Sequence, residues 1–463
     1  MKQIAYILAA LALASCGKSP QPDAARRNNP PVVRDIRIDR TNLPIVFINT
    51  LEHTISRDDY VLARMTIVDN PDGVNYGDTL AHPGQTVGYE GYIVIKYRGH
   101  SSYDYSPKKP YSIKLTKADG SKRKAPLLGM GGDNNWTLLA PYLDRSLIRN
   151  TLSLSLARGY TEFVPETRFC ELVLDGIYYG VHSLVEKVRR GDARLNIKKP
   201  GDSGDALTGG YIVCMDRDDE DFVHVSQYPP VNADGAFVTG KSVFMQYTDP
   251  DCEDITEAQR AYIDARFDAF EDALASDNFR DAEEGYRKYI DVTSFIDYQL
   301  AVEISNNSDG YRLSTYLYKY RDSIDPRFKM TLWDFDAAWG MLSIGNVFSV
   351  AKNDVWAYKN NTAIGVSYRM PFWFGRLMSD PAYVAQLKAR YAEYRRGRYA
   401  DVPAVIDSLS TLLTAGGAAE RDRLAWRRSG SVLQGGSSYA DEVASVRSFA
   451  VTRIAWLDGQ LGQ

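Results

Sequence analysis

Phe328-Lys329-Met330-Thr331-Leu332-Trp333-Asp334-Phe335-Asp336 alternates apolar and polar positions and then runs into two carboxylates. Upstream, Tyr316-Leu317-Tyr318-Lys319-Tyr320 alternates as well, and Asp322 to Arg327 between them carries Asp-Pro turn chemistry. The stretch therefore predicts strand, turn, strand. Such a hairpin brings Asp334 and Asp336 toward Asp309, which ends the run Asn306-Asn307-Ser308-Asp309 and lies 25 residues before Asp334. Residues two apart on an extended chain point the same way, so Asp334 and Asp336 are expected on one face. There they could share a hard cation such as Mg²⁺, which takes oxygen ligands while bridging phosphates. Aspartate is also common wherever a strand simply stops, and the residues alone leave that alternative open.

Working outward, the chain changes character near its middle. From Pro44 to Asp69 and from Tyr89 to Leu115 it is rich in alternating Val, Ile and Tyr, with turns at Pro71-Asp72-Gly73 and His82-Pro83-Gly84, the pattern of antiparallel strands. Further strands are expected over Arg168–Leu174, Gly180–Lys187 and Gly210–Met215, with a helix over Arg145–Arg158 capped by Asp144 and closed by Gly159. Leu128-Gly129-Met130-Gly131-Gly132 lacks a Walker lysine and is expected to be a flexible loop. Beyond Asp254 the apolar spacing becomes helical: Ile263, Phe267, Phe270 and Leu274, then Ile296, Leu300 and Ile304, then Tyr383, Leu387, Tyr391 and Tyr394, and finally Val443, Val446, Ala450, Ile454 and Leu457.

The 463 residues are enough for two substantial cores, and 44% hydrophobic with 25% charged content is ordinary for a globular chain. A formal charge of -4 with no polybasic run excludes a nucleic-acid-binding field. Five histidines without paired spacing argue against a zinc hydrolase, and no Gly-x-Ser-x-Gly elbow is present. At the N-terminus, Met1-Lys2-Gln3, an apolar run from Ile4 to Ala14 and Leu13-Ala14-Ser15-Cys16 resemble a bacterial lipoprotein signal with Cys16 as the lipidated residue. The organisation expected is a signal over 1–16, a flexible Pro-rich tether over 17–40, a β-rich lobe over 41–250 and a mainly helical lobe over 251–463. Cys170, Cys214 and Cys252, at irregular spacing, fit neither a disulfide framework nor a metal pattern.

Five motifs in order carry a family resemblance. They are Tyr97-Arg98-Gly99-His100-Ser101-Ser102, Pro107-Lys108-Lys109-Pro110-Tyr111-Ser112-Ile113-Lys114-Leu115, Asn135-Trp136 with Asp144-Arg145-Ser146-Leu147-Ile148-Arg149-Asn150, Leu174-Asp175-Gly176 through Val185-Glu186-Lys187, and the acidic pair of clusters. Together they resemble the spore-coat protein H (CotH) kinase family over roughly residues 43 to 345. The resemblance implies an α+β, atypical protein-kinase-like, two-lobed fold, with a mixed or antiparallel sheet in the first lobe and helices in the second. It further implies an enzyme that binds ATP with Mg²⁺ and phosphorylates serine or threonine on secreted or surface proteins. By the same resemblance Asp309 is the catalytic base, Asp334 a metal ligand and Asp336 a second or water-mediated one. Arg98, Lys109 and Lys114 are the phosphate partners, and Glu186 pairs with one of the lysines.

Two positions depart from the family pattern. Ser314 stands five residues after Asp309 where an asparagine is usual, and His100 replaces the asparagine of an Arg-Gly-Asn-Ser-Ser run. A serine hydroxyl is the shorter and weaker ligand. A catalytically weak or inactive kinase-like lipoprotein that binds a protein or glycan is therefore the alternative. The lipoprotein signal places either version in the cell envelope, anchored to a bacterial membrane, with the outer membrane favoured.

Overall fold

The structure, a computed structural model, describes residues 28–219, 221–344, 347–363, 370–427 and 438–462. Cys16 and the first part of the expected tether lie outside them. Residues 28–40, the remainder of that expected tether, are held against the body of the protein. Asn28 Oδ1 accepts from Ile55 N (2.9 Å), its carbonyl accepts from Tyr179 Oη (2.8 Å), and Val33 N donates to Ala425 O (3.0 Å).

Seven strands make a closed barrel: β1 (Ile45–Asn49), β2 (Val61–Val68), β3 (Val87–Tyr97), β4 (Tyr111–Thr116), β7 (Asn135–Leu139), β9 (Ile177–Glu186) and β8 (Thr167–Leu174), in that order round the wall. All but one contact are antiparallel, and β1 closes on β8 in parallel with Ile45 opposite Glu171. The sheet is mixed, as expected, and its closure into a barrel is what the alternating pattern did not specify. Two strands with about 120 residues between them become neighbours, and both sheet edges disappear. The alternation supplies the interior: Ile95, Ile113 and Trp136 stand side by side on β3, β4 and β7, and pack with Leu138, Leu172 and Leu184. The glycine-rich segment forms a hairpin, β5 (Ala125–Leu127) and β6 (Met130–Asp133), turning on Leu128 and Gly129 at φ 50° and 75°. It is thus ordered, where a loop was expected.

A second, antiparallel sheet runs β11 (Val223–Val225), β12 (Phe244–Asp249), β10 (Tyr211–Asp216), β13 (Thr315–Lys319), β14 (Phe328–Thr331). The predicted hairpin is β13 and β14, with Tyr316 opposite Thr331. Its sheet takes strands from both sides of residue 250, so the expected division there falls inside a hydrogen-bonded unit. The helices follow the apolar spacing: α1 (Arg149–Ala157), α2 (Glu257–Ala275), α3 (Val292–Ser305), α4 (Pro381–Arg396), α5 (Val402–Ala415), α6 (Ala418–Ala425) and α7 (Tyr439–Leu461). The residues picked out by period on α2, α3, α4 and α7 are buried. α1 starts at Arg149, four residues later than expected, because Asp144 accepts from Ser146 N (3.0 Å) and Arg149 N (2.9 Å) and so organises a turn before the helix. One apolar core joins α1, the second sheet and α2 to α7. Among the described residues no single helix is long and apolar enough to cross a membrane.

Ionic contacts fasten α6 onto the barrel. The Lys108 ammonium, fully buried, meets the Asp422 carboxylate, which also accepts from Val181 N (2.9 Å). Arg421 grips Glu171 (2.6 Å), and Tyr178 Oη donates to the same carboxylate (2.7 Å). Gly180, at φ 87°, has no Cβ where one would strike Asp422. Removing one partner of such a pair strands the other charge in a dry site. Asp422→Ala is expected to lower unfolding free energy by about 3–5 kcal/mol, measured by urea denaturation, against less than about 1 kcal/mol for Glu90→Gln at the exposed Arg64–Glu90 pair.

Glu271 on α2 is buried and accepts from Trp373 Nε1 (2.8 Å) and Ser226 Oγ (2.5 Å). Burial pushes its carboxyl up to about 7 despite those donors. The folded state therefore holds a proton that the unfolded chain releases at the ordinary carboxylate value. The stability this proton lends is present at acid pH and is lost as pH rises toward 7. In a pH series of denaturant melts, the wild type is expected to lose stability relative to Glu271→Gln across that window.

Candidate active site

The two acidic clusters meet because one hydrogen-bonded seam joins their backbones. α3 ends at Asn306, in the left-handed region at φ 51°, and the chain turns back. Ser308 N then donates to Ala337 O (2.9 Å), Trp339 N to Ser305 O (2.7 Å) and Asn307 Nδ2 to Asp334 O (3.2 Å). α1 braces the far side of the same loop. Asn150 Oδ1 accepts from Phe335 N (2.9 Å), Arg149 Nε donates to Ala338 O (3.0 Å) and Trp339 Nε1 donates to Ser153 Oγ (2.8 Å). Arg149 is itself fixed by Asp144. The Asp144–Asn150 motif thus acts as a clamp on the Asp334–Trp339 loop.

β14 ends at Thr331, and Asp334 sits at φ 62°. The expectation that Asp334 and Asp336 share a face of an extended strand is corrected: the chain there is not extended. Ser314 (φ 50°) and Tyr311 (φ 72°) are also left-handed, and non-glycine residues in that region gather where surrounding structure forces them. Both aspartates nevertheless reach one cleft of ≈ 190 Å³, together with Asp309, Ser314, Arg98, Gly99 and His100.

A further carboxylate lines it. Asp216, the last residue of β10, accepts from Ser314 N (3.1 Å) and Ser314 Oγ (3.3 Å), and that hydroxyl is 3.4 Å from Asp334 Oδ2. The only sign of Asp216 in the sequence was an acidic residue ending an alternating strand. Asp216 lies 98 residues before Ser314 in the chain, and β10 pairing with β13 brings the two together.

The carboxylates share a confined space, and their acidities show it. Burial, then repulsion from Asp309, raises the Asp334 carboxyl, opposed by Arg98. Asp336 is held well above the usual range by burial and by Asp334 and Asp309. Asp309 is raised by burial although Arg312 Nη2 donates to it at 2.7 Å. Like charges this close favour a proton or a cation between them. Among the described residues no three His, Cys, Asp or Glu side chains converge tightly enough to cage a metal alone. The donor set suits a Mg²⁺ that draws its other ligands from phosphates and water.

The basic residues divide. The Arg98 guanidinium lies 5.4 Å from the Trp333 ring centre and lines the cleft. Lys109 and Lys114 are outside the lining: Lys109 donates to the Tyr103 carbonyl and stacks on its ring, and Lys114 Nζ sits 4.3 Å from the Tyr60 ring centre. Glu186 pairs with Arg194 (2.6 Å) and accepts from Glu166 N, so the expected lysine–glutamate pair is not formed. Alternation explains this. Glu186 and Lys187 face opposite sides of the chain, and it is Lys187 that lies near Lys114. His100 Nε2 contacts Asp219 at 2.6 Å. Cys170 and Cys214 are buried, and burial raises both thiols, Cys170 to about 12.

No curated protein matches this sequence. A family model described as CotH kinase protein matches residues 95–457, from the end of β3 through most of α7. That span holds every cleft residue named above and extends through the helices beyond the motifs first recognised. With more than three quarters of its length inside the match, the chain belongs to the CotH kinase family.

Proposed function

We propose that this protein is an ATP- and Mg²⁺-dependent kinase that phosphorylates serine or threonine on an envelope or surface protein. Family membership supports a kinase-like function. The observation that carries the finer reading is the meeting of Asp309, Asp334 and Asp336 with Arg98 in one cleft. In this reading the barrel serves as the nucleotide-side lobe, and the second sheet with its helices as the other, giving the two-lobed, kinase-like arrangement.

Each side chain has a task that follows from its surroundings. Asp309, oriented by Arg312, accepts the proton of the attacking hydroxyl. Arg98 offers a planar fork to phosphate oxygens, free to do so because Trp333 supports its guanidinium from one side. Gly99, at φ 86°, lets backbone approach phosphate where a side chain would collide. Asp334 and Asp336 would hold Mg²⁺, with Ser314 and Asp216 setting the position of Asp334. When bound, the ion neutralises charge on the transferring phosphoryl group and relieves repulsion among the carboxylates. The lipidated Cys16 and an envelope location, favouring the outer membrane, rest on the sequence pattern.

One observation favours a second reading, a non-catalytic kinase-like module that binds a protein or glycan. Ser314 stands in place of a longer asparagine ligand and is engaged by Asp216. Incubation with labelled ATP, Mg²⁺ and envelope protein separates the two. Asp309→Asn and Asp334→Asn are each expected to reduce phosphate transfer by roughly 10²- to 10⁴-fold. Without metal, Asp334→Asn should melt no lower than the wild type, since it removes a repelled charge. Absence of ATP binding by calorimetry would leave the binding module.

A further inference from the structure

Beside the cleft, cations crowd together without carboxylates in ion-pair contact with them. Among the described residues the side chains of Arg98, Lys114 and Lys187 make no hydrogen bond and no ion pair; Arg98 and Lys114 lie only on aromatic rings. Elsewhere on this surface lysines find acids, as in Lys288–Glu284 (3.3 Å) and Lys329–Glu162 (3.1 Å). Here the neighbours are other cations. Lys187 reaches the surface, and the protein groups packed round it, then Arg98, Lys114 and Arg189, bring its ammonium down to about 8. Lys114 is lowered by burial and by Lys96, Lys122 and Arg189. Asp251 acts against these effects on both lysines, and Arg189 is committed to Asp133 at 2.6 Å.

The array is extended. Lys96 lies opposite Ser112, and Val94 opposite Lys114, so the two lysines sit diagonally on neighbouring strands β3 and β4. Their ammonium groups lie 5.1 and 4.3 Å from the centre of the same Tyr60 ring. Lys187 follows the end of β9. None of the three lysines lines the cleft. The function proposed above gives Arg98, Asp334 and Asp336 to nucleotide and metal and assigns these lysines no task. Lys96 and Lys114, diagonal across β3 and β4 and about 7–8 Å apart, match the roughly 6.8 Å same-face repeat of an extended chain with negative side chains on one side, and Lys187 lies further round the wall, beyond β7.

We propose that the strip of Lys187, Lys114 and Lys96, which begins beside Arg98, docks an acidic segment of the protein substrate, rich in Asp, Glu or phosphoserine, near the hydroxyl to be modified. This rests on the cleft being a kinase active site. Holding such a segment would fix which serines or threonines reach Asp309, and would favour substrates whose neighbouring residues are already phosphorylated.

The test measures peptide binding to the full chain by fluorescence anisotropy at low salt, without nucleotide or metal. A serine peptide flanked by glutamates is expected to bind, with affinity falling as salt is raised, and its glutamine counterpart to bind at least about tenfold more weakly. Lys96→Ala and Lys187→Ala should each weaken the acidic peptide about fivefold while leaving ATP binding by calorimetry unchanged. Equal binding of the glutamine peptide, or undiminished affinity in both variants, would overturn the proposal. So would a matching loss of ATP affinity, which would assign the strip to the nucleotide. Strip-dependent binding of the acidic peptide without any ATP binding would uphold the strip and remove the kinase reading.

Discussion

The site depends on a short seam of backbone hydrogen bonds between the turn after α3 and the loop after β14. Ser308 to Ala337 and Trp339 to Ser305 hold Asp309 and the Asp334–Asp336 pair together despite their separation along the chain. Neither segment has regular structure of its own at these positions. Each is held because the other satisfies its polar groups and because Arg149 and Asn150 satisfy what is left. Such groups, buried without partners, would be costly, so the seam forms as a whole. The left-handed backbone at Asn306 and Asp334 is the local consequence.

Stability and chemistry oppose each other in this cleft. Asp216, Asp309, Asp334 and Asp336 would separate if electrostatics alone decided, and the raised carboxyls of the latter three record the cost of burial and repulsion. The surrounding body compensates with fully partnered buried charges: Lys108–Asp422, Arg421–Glu171 and Glu303–Arg453. Glu303 lies on α3 itself and also accepts from Ala357 N (2.7 Å) and Tyr358 N (3.0 Å). The helix that leads into Asp309 is thereby anchored from behind. A scaffold tied in this way can keep repelling groups close, a common arrangement where a bound ion later supplies the missing charge.

Much of this was legible in the sequence, and the boundary of legibility is physical. Periodicity found the acidic hairpin and the buried faces of α2, α3, α4 and α7, because each element's own core contacts select its apolar spacing. Ordered motifs found Arg98, Asp309, Asp334 and Asp336. What escaped depends on pairings between distant segments. Barrel closure needs β1 beside β8, and Asp216 joins the cleft only because β10 lies next to β13. The partner of Glu186 follows from which side of β9 it faces, and Arg194, its actual partner, belongs to no motif. Lys187 belongs to a motif only as the neighbour of Glu186, though it lies near Lys114.

The parallel contact between β1 and β8 has a practical bearing on how the protein can be divided. The family match begins at Ile95, near the end of β3, so a fragment trimmed to it would lack β1, β2 and most of β3. What remains would be a four-stranded remnant with β4 and β8 as bare margins, each offering unsatisfied amides and carbonyls to any passing chain. Its apolar lining would face water, and β8 would have lost the neighbour that seals it. Such a truncation invites clumping, and any dissection aimed at the cleft has to retain the chain from Asn28 onward.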